Sequence, residues 1–440
     1  MLLHSVVNHK LDSGSKNRID VIYDISLLGT AYYFQRIRTG IARAIESLLF
    51  GLTDIPECSI HFSAYNSPEQ LIQALEYLVA HPALRGNTFC GPDSVIVDFL
   101  VRAARNAYPL PAEATNCKYR RRAVSLMINR FSAKAAILNT ELTSRADIIH
   151  STYYPLPQDV GGSKRMQRFI TIYDMIPVLL PEYFEPQTIK NFMNIIRSIR
   201  PDDWVIAISQ STKNDFCEQM RFDPARVFVT PLAASELFYR CDDSKKNAEV
   251  RRKYRIPDGP YALSLCTLEP RKNIDHTIRC FVRTVREQRI PDLSLVLVGT
   301  KGWDFDRIFA EIMSDPETQE RIIVTGYVPD EDLASLYSAA MVFVYPTLYE
   351  GFGLPPLEAM QCGVPVITSN TSSLPEVVGN AGFMVAPTDE DALCQAFWDI
   401  YRNSALRANM AGHSLARARH FSWEQCSRDT YKAYLAAIGS

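Results

Sequence analysis

Short runs of β-branched and apolar residues alternate along the chain with stretches whose apolar positions recur every three to four residues. That alternation predicts parallel sheets covered by helices. In the first half the expected strands are Asp20–Leu28, Ser59–Tyr65, Asp147–His150, Arg168–Tyr173, Trp204–Ile208 and Arg226–Thr230. Between them, Ile41, Ile45, Leu48 and Leu49 fall on one face of a helix starting at Gly40, and Ser209 or Ser211 is placed to cap another. The alternation breaks at Pro231–Pro260, where PLAASELFYRCDDSKKN gives way to a charged, helix-like stretch and then Ile-Pro-Asp-Gly-Pro. It then restarts with strands Tyr261–Cys266, Leu293–Gly299, Arg321–Thr325, Met341–Tyr345 and Val364–Thr368. Helices are expected from Asn273, over Glu331–Ser338, from Pro356 and from Asp389 onward. The closing FSWEQCSRDTYKAYLAAI reads as a capped amphipathic helix that need not belong to the lobe before it.

The division this predicts is a Rossmann-like domain over 1–230, a connection over 231–260, a second Rossmann-like domain over 261–420, and a helix at 421–440 that crosses back to the first domain. Two such units facing each other place the C-terminal ends of both sheets around one cleft, where open α/β sheets bind ligands.

Length and composition agree with two lobes. A chain of 440 residues exceeds one ordinary core, and 47% hydrophobic with 22% charged residues is globular. A net charge of −2 leaves no global attraction for nucleic acid. The ten cysteines form no C-x-x-C pair or metal-ligand spacing and read as reduced and buried. No basic start followed by an apolar stretch opens the chain, and no apolar run reaches the roughly 18 residues of a membrane span. The expected compartment is the cytoplasm.

Two segments carry the chemistry. The first runs Tyr345-Pro-Thr-Leu-Tyr-Glu350-Gly-Phe-Gly-Leu-Pro-Pro-Leu-Glu358. It reads as a strand, a loop whose Gly351 and Gly353 let backbone approach a ligand, and a helix whose first amides form a positively polarised end. Glu350 in the loop and Glu358 in the first helical turn can each accept hydrogen bonds from vicinal sugar hydroxyls. Glu358 as a helix cap and Glu350 as a solvated loop residue stay open as alternatives. The second segment, Leu265-Cys-Thr-Leu-Glu-Pro-Arg271-Lys272-Asn273, ends a strand and starts a helix with an apolar face of Ile274, Ile278, Phe281, Val282 and Val285. Asn273 is a good N-cap by type. An Arg fork and a Lys point charge beside a helix N-terminus suit a diphosphate, although a solvent-facing basic pair is the alternative.

R-K-N after the first strand of a second lobe, followed about eighty residues later by EGFGLPPLE, resembles glycosyltransferase family 4. LVGTKGW, TGYVPDEDL, CGVPVITSN, SLPEVVG and the FSWE helix follow in that family's order. The resemblance implies the two-lobed GT-B fold and a retaining transfer from a nucleoside-diphosphate sugar, with no metal and no other cofactor. By position Arg271 and Lys272 match the diphosphate-binding pair, Glu358 the ribose carboxylate and Glu350 the carboxylate near the donor sugar. The amides of Phe352, Gly353 and Leu354 match the sugar-contacting loop, and Thr267 belongs to the donor-side turn. The base is expected near Tyr327 and Val328. In the first, acceptor-side lobe, Arg36, Arg38, Thr39 and Gly40 look like the family's glycine loop, with Gly40 also readable as a plain helix start. Thr171-Ile-Tyr173-Asp174 is similar to a loop in which His commonly precedes Asp. Tyr173 departs from that pattern and leaves Asp174 as the polar contributor, either structural or facing the acceptor. Cys266 stands where many relatives have Gly.

The reaction implied is transfer of a hexosyl group, GDP-mannose being the first expectation for the donor, to a growing glycan or lipid-linked saccharide, as in lipopolysaccharide or exopolysaccharide synthesis; a small soluble acceptor is the alternative. The basic and apolar stretch 118–131 suits peripheral contact with an anionic membrane, or a solvated helix with its apolar side in the core. A dinucleotide oxidoreductase would need G-x-G-x-x-G after a strand, which neither half contains. A two-carboxylate glycosidase leaves Arg271 and Lys272 unexplained, and a non-catalytic sugar-nucleotide-binding protein would carry the same residues.

Overall fold

The computed structural model describes residues 18–34, 40–84, 86–90, 138, 140–158, 166–300, 302 and 320–440. The segment Arg36–Thr39 and the stretch 118–131 lie outside the described residues. Two six-stranded, all-parallel sheets form the frame. The first contains β1 (Ile19–Asp24), β2 (Cys58–Ser63), β3 (Ile148–Ser151), β4 (Gln167–Ile172), β5 (Trp204–Ala207) and β6 (Val227–Val229) in the order β2-β1-β3-β4-β5-β6. The second contains β7 (Tyr261–Leu265), β8 (Ser294–Val298), β9 (Ile322–Gly326), β10 (Val342–Tyr345), β11 (Val366–Ser369) and β12 (Phe383–Val385) in the order β12-β11-β10-β7-β8-β9. Central strands such as β8, Ser-Leu-Val-Leu-Val, are buried along their whole length because helices cover both faces of a parallel sheet.

The clearest departure from the sequence reading is at β1. The strand expected to reach Leu28 stops at Asp24, and Ser26–Phe34 is helical. Asp24 Oδ1 accepts hydrogen bonds from the backbone amide of Ser26 at 3.1 Å and its hydroxyl at 2.5 Å, a side-chain turn that ends the strand despite the apolar run beyond it.

The stretch 231–260 carries a helix, Ser244–Lys253, that packs against the helix Asp330–Ser338 of the second lobe. Asp332 there accepts from Lys253 Nζ at 2.7 Å and Tyr254 Oη at 2.6 Å. The C-terminal helix Trp423–Ile438, capped by Ser422, lies on the first lobe beside the helix Gly40–Thr53. A Cβ at Gly51 would come within 2.1 Å of Ser427 Oγ, so the two helices meet at backbone distance. Tyr434, fully buried, places its hydroxyl 2.6 Å from His150 Nδ1, and Thr171 Oγ1 is 2.8 Å from His150 Nε2. Burial pushes the His150 imidazole down to about 3, so it is neutral in the core.

The described cysteines are free, and all but Cys217 and Cys394 are buried. Among the described residues no helix is long and apolar enough to cross a membrane, and no cluster of His, Cys, Asp or Glu could hold a metal ion.

Candidate active site

β7 and β10 are neighbours where the strand order of the second sheet reverses, so the loops leaving their C-terminal ends open side by side into the crevice. This adjacency brings residues almost eighty positions apart into one cluster. After β7 the chain makes a 3-10 turn, Pro270–Lys272, and Asn273 follows at φ 58°. Asn273 occupies the N-cap position of the helix Ile274–Glu287, but its side chain makes no capping hydrogen bond. Its side-chain amide instead donates to the carbonyls of Pro346 at 2.9 Å and Pro387 at 2.7 Å, tying the β7 and β10 loops together. The left-handed backbone that Asn tolerates ends the 3-10 turn and turns this side chain away from the helix.

Arg271, Lys272 and Glu350 form one buried network. Lys272 Nζ lies 2.7 Å from Glu350 Oε1 and 3.1 Å from Tyr345 Oη. Two of its three donors are so placed, which leaves one for a ligand. Arg271 donates to the carbonyl of Tyr349 at 2.7 Å and to Glu269 at 2.8 Å, and its Nη1 is 3.5 Å from Glu350 Oε1. Burial alone would raise the Glu350 carboxyl, but Lys272 and Arg271 outweigh it and hold Glu350 below the usual carboxylate range. Burial disfavours the Arg271 charge, and Glu350 with Glu269 outweighs it in turn, so the guanidinium is firmly charged.

Packing requires both glycines of the loop after β10. Gly351 is required because the first lobe comes up against it: a Cβ there would sit 2.0 Å from the carbonyl oxygen of Tyr173 and 2.9 Å from Asp174 Cβ. Gly353 stands at φ 121°, where a side chain would be strained and would also meet Leu374 at 2.7 Å. The helix start is poorer in donors than expected, since Pro355 and Pro356 lack N–H groups in the first turn of Leu354–Gln361. What remains is the row of amides from Phe352, Gly353 and Leu354, which no acceptor among the described residues takes up.

Glu358 is the fifth residue of that helix, past its first turn, so capping and first-turn dipole roles fall away. Its buried carboxylate accepts from Tyr337 Oη at 3.1 Å and is 3.8 Å from Arg43 Nη2. Burial pushes it above the usual range, and Arg43 and Tyr337 only partly oppose this. Arg43 comes from the first lobe and also lies 3.6 Å from Asp330. Sequence reasoning missed Arg43, although it stands one helical turn after Gly40 on the helix already singled out. A Cβ on Gly40 would lie 3.3 Å from Leu354, so the start of this helix faces the start of Leu354–Gln361 across the cleft.

The remaining expected site residues spread around this core. Asp174, half-buried after β4, accepts from the amide of Ile176 at 3.0 Å, and burial raises its carboxyl despite that bond and the nearby Arg271. Thr267 is exposed beside Gly302. Tyr327 is 71% exposed while its neighbour Val328 is buried, so a ligand near them would meet the ring of one and the backbone of the other.

Comparison with known proteins bears on the family and the fold. Residues 246–414 match the family described as glycosyl transferases group 1. The chain is similar to the O-antigen chain mannosyltransferase B of Escherichia coli, 34% identical over 289 residues that cover 65% of this chain and 74% of that one. It is also similar to a GDP-mannose-dependent alpha-(1-6)-phosphatidylinositol monomannoside mannosyltransferase of Mycolicibacterium smegmatis, 29% identical over 54% of this chain and 62% of that one. In structure it resembles the sucrose-phosphate synthase of Thermosynechococcus elongatus, with a TM-score of 0.61 at 19% identity, covering 96% of this chain and 100% of that one. Two facing α/β lobes, loops that meet at the strand reversal and these likenesses together place the chain in the GT-B fold, and it belongs to the group 1 glycosyl transferases.

Proposed function

We propose that the protein is a retaining, family 4-type glycosyltransferase that moves a mannosyl group from GDP-mannose to the saccharide end of a growing surface glycan. The observation that carries this reading is the buried Arg271–Lys272–Glu350 network beside the untaken amides of Phe352, Gly353 and Leu354. Cations and a carboxylate fixed in one low-dielectric site suit a donor whose diphosphate and sugar ring acquire opposite charges as they part. The mannosyl donor is supported by the relatives, one of which is named as GDP-mannose-dependent.

In this reading the bond between the sugar carbon and the diphosphate oxygen breaks, and negative charge grows on the leaving oxygen. Arg271 and Lys272 stabilise that charge, with no metal needed for the purpose. Glu350 stabilises the positive charge developing on the ring. The acceptor hydroxyl bonds to the same face of the sugar carbon, and its proton passes to the leaving phosphate, so no protein nucleophile takes part. Glu358 accepts from the ribose hydroxyls, the base lies against Tyr327 and Val328, and Gly40 and Thr267 line the donor side. Asp174 shapes the acceptor side of the loop at Gly351.

The test is a thermal-shift screen of the full chain against GDP-, UDP-, dTDP- and ADP-sugars, since a ligand that binds only the folded state raises its melting temperature. GDP-mannose should give the largest shift, and a saccharide acceptor should release GDP. A larger shift with another nucleotide sugar would overturn the donor assignment.

A further inference from the structure

The loop that carries Glu350 belongs to the second lobe, yet the residues on both sides of Glu350 are held by the first. Tyr349 Oη lies 3.0 and 2.9 Å from the two carboxylate oxygens of Asp215. The carbonyl of Gly351 accepts from Ser209 Oγ at 2.7 Å and Thr212 Oγ1 at 3.1 Å. Ser209, Thr212 and Asp215 are spaced by three residues, so they line one face at the start of the helix Gln210–Met220.

A further contact runs in the opposite direction. Both carboxylate oxygens of Glu376, from the second lobe, accept the amides of Gln210 at 2.7 Å and Ser211 at 2.6 Å. These are the first two amides of Gln210–Met220; they have no carbonyl partner within the helix and sit where its dipole favours an anion. Glu376 is also joined to Glu350 through its own segment. Three residues before it, Ser373 Oγ donates to the carbonyls of Glu350 at 3.0 Å and Phe352 at 2.7 Å, and Ser372 Oγ accepts from the Glu350 amide at 3.0 Å. Ser372 stands at φ 53°, a left-handed conformation uncommon outside glycine, and so the loop is tightly specified here.

The geometry points to an interlobe latch that sets Glu350: Glu376, Ser209 and Asp215 are positioning residues through which closure of the two lobes brings this carboxylate to the reacting sugar. The inference rests on Glu350 as the donor-sugar carboxylate. Arg271, Lys272 and Glu358 belong to the second lobe, and the first-lobe residues at that end, Gly40 and Arg43, make none of the latch contacts, so nucleoside diphosphate binding does not require the latch. Transfer does.

The experiment compares the full chain with Glu376→Ala, Glu376→Gln and Asp215→Asn in three measurements: calorimetry with GDP, steady-state transfer from GDP-mannose, and small-angle scattering of the free protein. Glu376→Ala and Asp215→Asn should keep GDP affinity within about twofold of wild type. Their kcat should fall about tenfold, with KM for the donor changing much less. Glu376→Gln, which retains one acceptor oxygen, should fall between wild type and Glu376→Ala. Scattering should show a larger radius of gyration for Glu376→Ala, because the lobes separate. An unchanged kcat, or GDP affinity lost in step with kcat, would overturn the latch. If wild type does not turn over GDP-mannose, the functional reading fails, and the scattering arm still decides the latch: identical profiles for wild type and Glu376→Ala would overturn it.

Discussion

Glu350 and Glu358 are the same side chain, stand on one loop-helix segment and are both buried, yet their carboxyls are displaced in opposite directions. Burial disfavours the charge at both. At Glu350 a lysine at 2.7 Å and an arginine at 3.5 Å overcome it. At Glu358 an arginine at 3.8 Å and a tyrosine hydroxyl at 3.1 Å do not. The strength and closeness of the counter-charges decide the outcome, because the Coulomb energy falls with distance while the desolvation penalty at the two sites is alike in kind. The origin of the charges differs too. Lys272 and Arg271 reach Glu350 from the turn that follows the adjacent strand of the same sheet, whereas Arg43 reaches Glu358 from the opposite lobe. The charges that set Glu350 come from its own lobe, although its loop is held by the first lobe, whereas the charge that acts on Glu358 crosses the cleft.

The largest effect should come from removing the cation that makes the difference. Lys272→Ala should lower transfer by about 2 to 4 kcal/mol of transition-state stabilisation, as for a lost oxyanion donor, and loosen acceptor binding far less. Single-turnover kinetics at saturating donor measure this directly. Transfer at the wild-type rate would break the assignment of the Glu350 end to bond cleavage.

A smaller effect should separate the two carboxylates by ligand. Glu358→Ala should weaken binding of free GDP by about 1.5 to 3 kcal/mol, the range for hydrogen bonds to a charged group. Glu350→Gln should leave GDP affinity nearly intact while lowering transfer. Titration calorimetry of both variants tests the division, and equal losses of GDP affinity would mean that the carboxylates do not serve separate halves of the donor.

The opposed displacements should also appear in stability against pH. Glu350 has a folded pKa below the unfolded value of 4.5, so its contribution is fully present above 4.5 and is lost as pH falls through the lowered value. Glu358 has a folded pKa above 4.5, so its contribution is fully present below 4.5 and is lost as pH rises through the raised value. Relative to wild type, Glu350→Gln should therefore lose stability as pH rises across its window, and Glu358→Gln should gain it. Each slope is at most about 1.4 kcal/mol per pH unit. Denaturant melts of the three proteins from pH 3 to 8 check the signs, and two slopes of the same sign would contradict the contrast.

The sequence alone determined the alternation that builds two parallel sheets, the loops after β7 and β10, and the residue types that suit a diphosphate and a sugar, because these follow from local periodicity and from motifs contiguous in the chain. It misplaced the end of β1, where one Asp-Ser turn overrides an apolar run, and the task of Asn273, whose side chain serves a distant loop instead of its own helix. The contacts of Arg43, Glu376, Ser209 and Asp215 with the candidate site were not read from the sequence. Each is made across the cleft, and Asp215 lies 134 residues from its partner Tyr349. The two glutamates show the same limit most simply. Their types and spacing are written in EGFGLPPLE, but the sign of each displacement depends on which charge lies within 4 Å of a buried oxygen, and only the tertiary structure decides that, through neighbouring loops of one sheet at Glu350 and through the opposite lobe at Glu358.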